Sequence, residues 1–189
     1  MRPAIGVTGL GAMSALGTGV RAIVDAMREG RDGLREMERL DLRALHPIRF
    51  AGWLREPWVR GEPASLAAWA GAAAREAWDD ASADSSSVRP ERIAVVVGTS
   101  LGDEGAATKV AEAVCEATGA RGLRCTITTA CASSTNAIGL GRDLLLEHDA
   151  DLVIAGGAEK LVAQIFGGFA ALGVLASEKC APFGETMGT

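Results

Sequence analysis

The chain has 189 residues, enough for one domain with a real core, and its 19 basic against 24 acidic residues give a net charge of −5. The charges are spread without blocks, which excludes nucleic acid as an expected partner. No apolar run reaches the ~18 residues a membrane span needs, and the N-terminal residues carry no signal-peptide core. Cys115, Cys125, Cys131 and Cys180 show no C-x-x-C spacing, and His46 and His148 lie far apart, so no metal site is expected. These features fit a reduced, cytoplasmic protein. Tyrosine is absent while alanine and glycine dominate, so the core is expected to consist of small residues and closely packed backbones.

Ile5 to Thr8 reads as a short buried strand, turned by Gly9-Leu10-Gly11. A dinucleotide site is the rival reading there. However, the third glycine of G-x-G-x-x-G falls at Ser14, and Asp25, at a tempting distance, sits inside a helix expected over 20–28. From Leu34 to Pro63 the prolines Pro47, Pro57 and Pro63 break any long element, and Trp53 and Trp58 suit the edge of the core. His46, just before Pro47, reads as a surface residue rather than a base. Ser65 is a good N-cap for a helix through about Ala81, with Leu66, Trp69, Ala73 and Ala77 as its apolar stripe and Trp78 at the flank. Arg92 to Val97 reads as a buried, parallel-type strand. The following Gly98-Thr99-Ser100-Leu101-Gly102 lacks the G-K-[ST] ending of a phosphate loop and reads as a tight turn at the active-site side of the sheet. A helix over 104–118 is closed by Gly119.

Strand-like Cys125 to Thr129 then runs into Cys131, and a helical pattern follows to about Glu147. This is strand, sharp turn, helix, with a cysteine at the turn, the arrangement of a nucleophile elbow. Ala130, Ala132 and Ser133 are small enough for backbone and substrate to approach closely. A thiol at a helix start faces unpaired N–H groups and the positive end of the macrodipole. The competing reading is a small cysteine packed under a helix. The helix end supplies roughly 0.3–2 kcal/mol, and acyl chemistry also needs proton transfer and an oxyanion site. His148 cannot supply the proton transfer, because it lies some four helical turns away, roughly 24 Å at 1.5 Å per residue. A further buried strand is expected over 151–155, ending in Gly156-Gly157, and a glycine-rich apolar segment over 164–176.

Thr129-Ala130-Cys131-Ala132-Ser133-Ser134 resembles the active-site motif of the β-ketoacyl synthases, the condensing enzymes of fatty acid and polyketide synthesis. Three more stretches agree in order. They are Val7 to Ser14, Val95 to Gly102, and Ala155-Gly156-Gly157-Ala158-Glu159 followed by Gly168 to Gly173. The resemblance covers nearly the whole chain but only the first half of such an enzyme. It implies an α/β, thiolase-like fold in which residues 1–189 form one βαβαβαββ half with its last strand missing. In the family the two halves stack as α-β-α-β-α layers.

In the family reaction a cysteine takes an acyl group from acyl carrier protein or coenzyme A. A malonyl thioester is then decarboxylated, and its carbanion attacks the acyl cysteine. The resemblance makes Cys131 that nucleophile, its backbone amide an oxyanion donor, and Phe169 a lining residue of the acyl pocket; core packing is the alternative for Phe169. Glu159 reads as structural. The family's two catalytic histidines, a lysine and a second oxyanion amide belong to the other half, so this chain is expected to be inactive alone. No cofactor is implied. Between Gly98 and Cys131 the chain has 32 residues, fewer than is usual, which alters the expected acyl pocket. Implied partners are an acyl carrier protein or acyl-CoA thioester, and a homodimer formed through 125–129 or a partner chain supplying the second half. Two other readings stand beside this one: a non-catalytic partner subunit of a ketosynthase-like dimer, against which Cys131 counts, and an unrelated nucleotide-binding domain.

Overall fold

A computed structural model describes residues 4–36, 50–52, 54, 65–82, 87–102, 105–176 and 180. Its centre is a three-stranded parallel sheet of β5 (Ile93–Gly98), β6 (Arg124–Ile127) and β7 (Leu152–Gly157), in the order β6-β5-β7. In register, Val96 sits opposite both Cys125 and Ala155. The flanking helices are α2 (Leu66–Asp80), α3 (Thr108–Thr118) and α4 (Ser133–Leu146), with α5 (Ala163–Ala171) after the sheet. Before them come the short antiparallel pair β1 (Met13–Ser14) and β2 (Gly17–Thr18), α1 (Val20–Arg28), and a second antiparallel pair, β3 (Leu34–Glu36) with β4 (Phe50–Gly52).

The central strand explains the layering. β5 is an unbroken apolar run buried along its whole length, as a strand covered on both faces must be. Its side chains alternate between two cores. Ile93, Val95 and Val97 pack with Leu66, Ala74 and Trp78 of α2 and Val110, Ala111 and Val114 of α3. Ala94 and Val96 pack on the opposite face with Ala137 and Leu144 of α4. The second core uses smaller side chains, so α4 lies close to the sheet. Gly141 makes this possible, because a Cβ there would sit 2.9 Å from Val153 Cγ1.

The helices expected from sequence form with ends shifted by a few residues. Ser65 caps α2, its side chain accepting the Ala68 N–H at 3.1 Å, and Gly119 closes α3 in the left-handed conformation at φ 75°. On α2 the buried face is Leu66, Gly71, Ala74 and Trp78 rather than the expected 66-69-73-77 stripe. Ala73 and Ala77 serve a different contact: the backbone at Gly9 and Gly11 lies directly against theirs, with no room for a Cβ.

That contact accounts for the one strand that does not form. Residues 5–8 join no sheet, and Ile5 and Val7 are 41% and 82% exposed. The segment is held by α2 instead. Asp80 accepts the Leu10 N–H at 2.9 Å, while Glu76 accepts those of Ala12 at 2.9 Å and Val20 at 2.7 Å. Side-chain carboxylates thus take amides that follow the expected strand, and residues 5–8 pair with no strand of the central sheet. Trp53, Trp58 and His46 fall outside the described residues.

Candidate functional site

The C-terminal ends of the three strands converge under the start of α4. In an open parallel sheet this is where ligand sites form. Two glycines let the helix start lie on the strand ends. A Cβ at Gly98, the last residue of β5, would collide with the carbonyl group of Ser133, and one at Gly157, the last of β7, would sit 2.6 Å from Ser134 Cβ.

Between β6 and α4 the chain turns through a single 3-10 turn over Ala130–Ala132. Ala130 takes φ +50°, a left-handed conformation that a residue with a Cβ adopts at a cost. Cys131 follows immediately and is exposed, with a free thiol. The turn is tied down from the helix side. Ser133 Oγ accepts the Thr129 N–H at 2.8 Å and lies 2.7 Å from the Ala130 carbonyl oxygen and 3.3 Å from that of Thr99, either of which its hydroxyl can donate to. Asn136 Nδ2 donates to Thr129 Oγ1 at 2.8 Å. The strand–turn–helix reading therefore holds, and the reading of Cys131 as a thiol packed under the helix does not.

Cys131 opens onto a cavity of about 870 Å³. One wall is the loop after β5, with Thr99 and Leu101. A second is the elbow itself, and a third is α5 with its C-cap, which contribute Ile165, Phe169 and, at the cap, Leu172. These three lie at i, i+4 and i+7, one face of the helix. The structure thus brings together Cys131 and Phe169, which are 38 residues apart in sequence. Glu159 also lines the cavity, and its Oε2 accepts the Ser100 N–H at 2.6 Å, fastening the loop after β5 to the segment after β7. Thr99, 2% exposed, accepts the Gly102 N–H through Oγ1 at 3.1 Å and shapes the same loop.

Sequence reasoning places Thr99 in a tight turn and takes Ser133 as a small neighbour of the thiol, and gives neither hydroxyl a part in the site. Each is a small hydroxyl residue whose role depends on a backbone group brought in by folding. Ser133 lies four residues from Thr129 but 34 from Thr99. No histidine among the described residues lines the cavity. His148 stands past the far end of α4, at φ +62°, and its carbonyl oxygen accepts from Arg92 Nη2 at 2.6 Å. Among the described residues no group of three or more His, Cys, Asp or Glu could hold a metal ion, and no helix is long and apolar enough to cross a membrane.

Residues 106–186 match the family described as β-ketoacyl synthase, N-terminal domain. Among curated proteins, the chain is 27% identical over 198 residues to the tetracenomycin polyketide synthase ketoacyl synthase alpha subunit of Streptomyces glaucescens, covering 84% of this chain and 46% of that one. It is 25% identical over 210 residues to 3-oxoacyl-[acyl-carrier-protein] synthase 2 of Coxiella burnetii, covering 93% and 50%. The chain therefore spans about half the length of the curated relatives it matches. Among solved structures, the ishigamide ketosynthase/chain length factor superposes with a TM-score of 0.79 at 24% identity, covering 90% of this chain and 51% of that one. A ketosynthase in complex with its chain length factor from Xenorhabdus doucetiae gives 0.75 at 22% identity, covering 96% and 54%. These likenesses fix the fold as thiolase-like α/β, and the present chain as a partial half of it.

Proposed function

From the premise that this chain is a relative of the β-ketoacyl synthases, matching the N-terminal half of their thiolase-like fold, we propose that Cys131 is an acyl-accepting nucleophile of fatty acid or polyketide synthesis. The observation that carries this reading is the exposed Cys131 thiol at a strand–turn–helix elbow, opening onto a large cavity with an apolar wall on α5. In the half-reaction the Cys131 thiolate attacks the carbonyl carbon of an acyl thioester. The C–S bond to the carrier breaks, and the carrier thiolate leaves and takes up a proton. The acyl chain then lies along Ile165, Phe169 and Leu172. The Cys131 amide, at the first turn before α4, would donate to the oxyanion that forms in between.

The donor is an acyl group on acyl carrier protein or coenzyme A. One neighbouring structure, described as a type II polyketide synthase acyl-carrier protein in complex with its ketosynthase, supports the carrier protein as the class of donor. Condensation also needs a group that drives decarboxylation of a malonyl thioester, and by the family resemblance that group belongs to a second half. We read residues 1–189 as one half-domain whose counterpart is another polypeptide segment or a second copy. The four free cysteines are consistent with a cytoplasmic setting. The alternative, a partner subunit without chemistry of its own, leaves the open thiol at the cavity unexplained.

The test pairs two measurements on the purified chain. With octanoyl-acyl carrier protein and malonyl-acyl carrier protein, an acyl-enzyme should accumulate without release of carbon dioxide, because proton transfer and charge stabilisation worth roughly 10²–10⁴-fold are missing. Turnover to a ketoacyl product by this chain alone would show that the catalytic groups have been misplaced. A chain that takes up no acyl group would leave the partner-subunit reading.

A further inference from the structure

We infer that Ser133 is a positioning residue that holds the Cys131 elbow and the loop after β5 in one geometry, so that the thiol faces the cavity. This inference rests on the acyl-acceptor reading of Cys131 and adds to it a residue that never touches the acyl group.

The argument starts from the turn. Ala130 at φ +50° has no glycine to relax it, so something must hold that conformation in place. Ser133 is the group placed to do so. Its Oγ takes the N–H of Thr129, on one side of Ala130, and reaches the carbonyl oxygen of Ala130 itself, so a single hydroxyl spans the strained residue. The third neighbour is the carbonyl oxygen of Thr99, from the loop that forms the facing wall of the cavity. Ser133 is 3% exposed, and its own backbone is pressed against Gly98. It cannot move without moving the elbow, the loop or both. Removing the oxygen takes away the acceptor of the Thr129 amide and with it the tie across Ala130. A mere cap on the helix would not lie between two walls of a cavity; this hydroxyl does, accepting from the elbow and within donating reach of a carbonyl oxygen on each wall.

The experiment compares two alkylating reagents on the full chain, iodoacetamide and N-octyl iodoacetamide, with labelling of each cysteine followed by mass spectrometry. The chain-bearing reagent needs the thiol and the cavity aligned; the small one needs only an accessible thiol. In the unaltered protein, Cys131 should prefer the octyl reagent, relative to Cys180 in the same sample. In Ser133→Ala that preference should fall about tenfold, the order of loss expected when a reacting group is displaced by a fraction of an ångström. The iodoacetamide rate at Cys131 should change by about twofold or less. An unchanged preference in Ser133→Ala would overturn the positioning role and leave the acyl-acceptor reading standing. Absence of any octyl preference in the unaltered protein would remove the acyl-acceptor reading, and this inference with it. If Ser133→Ala does not fold, amide hydrogen exchange on the unaltered chain decides. Thr129 lies at the surface, so protection of its amide beyond the unstructured rate supports the bond to Ser133, and exchange at that rate overturns it.

Discussion

Cys131 and Cys115 are set apart by their surroundings. Cys115 lies on α3, packed against the larger core, and burial pushes its thiol pKa up, with Arg124 nearby opposing the shift only in part. Cys131 is exposed at the elbow. Iodoacetamide at neutral pH should therefore label Cys131 first, with Cys115 gaining label only as pH rises beyond the usual thiol range. Preferential labelling at Cys115 or Cys180, read by peptide mapping, would contradict the elbow. The sequence made this residue legible because a strand, a run of small residues and a helix around a cysteine form a local signature. Ser133 was not legible, because its role depends on the sign of φ at Ala130 and on the approach of Thr99 from another strand. Glu159 was read as structural, and its bond to the Ser100 amide agrees with that reading.

At the scale of elements, the close fit of α4 on the strand ends makes the glycines of α4 and of the strand beneath it unequal. Gly98→Ala places a methyl group into the Ser133 backbone and should cost ~3 kcal/mol or more of stability. Gly139, on the outer face of α4, has nothing near its Cβ position, so Gly139→Ala should stabilise by ~0.5–1 kcal/mol. Urea unfolding of the two variants checks both signs; equal effects would show that α4 does not lie on the sheet as described. The turn from α4 into β7 is gripped by Arg92, which donates to the carbonyl oxygens of His148 and Asp149 and to Asp151 Oδ1 at 2.8 Å. The hydrogen bond from Arg92 holds the Asp151 carboxyl below the usual carboxylate range. A depressed carboxylate pKa stabilises above the ordinary value, and that contribution is lost as pH falls through the lowered one. Arg92→Ala should therefore lower the thermal midpoint near neutral pH by more than it does in strong acid, and a pH-independent difference would argue against the pair. Helices and central strands were readable from period and caps. The strand expected over 5–8 was not, since Ile5 and Val7 carry the local pattern while the carboxylates that hold the amides after them lie about 55 to 70 residues downstream on α2.

Across the whole molecule, apolar surface collects at the cavity mouth and beyond it. Ile138 on α4 is 56% exposed, and Leu172 and Val174 after α5 are 72% and 64% exposed. Among the described residues β6 is paired on one side only, by β5, leaving an open strand edge. Together these features predict that the lone chain dimerises, aggregates or takes a partner. Light scattering coupled to size exclusion would contradict this if it found a stable monomer at micromolar concentration with no dye-binding apolar surface. The sequence shows Ala137, Ile138, Gly139, Leu140, Leu144 and Leu145 together on α4, but not which of them faces out. Ala137, Gly141 and Leu144 go to the sheet, and Ile138 does not.

The central claim is that Cys131 carries an acyl group. Incubation with octanoyl-acyl carrier protein, followed by proteolysis and mass spectrometry, tests it without requiring turnover. One octanoyl group should appear on the peptide containing Cys131, be released by hydroxylamine as a thioester is, and be absent from Cys131→Ala. An octanoyl group on Cys115, Cys125 or Cys180 instead, or none on any cysteine, would contradict the account.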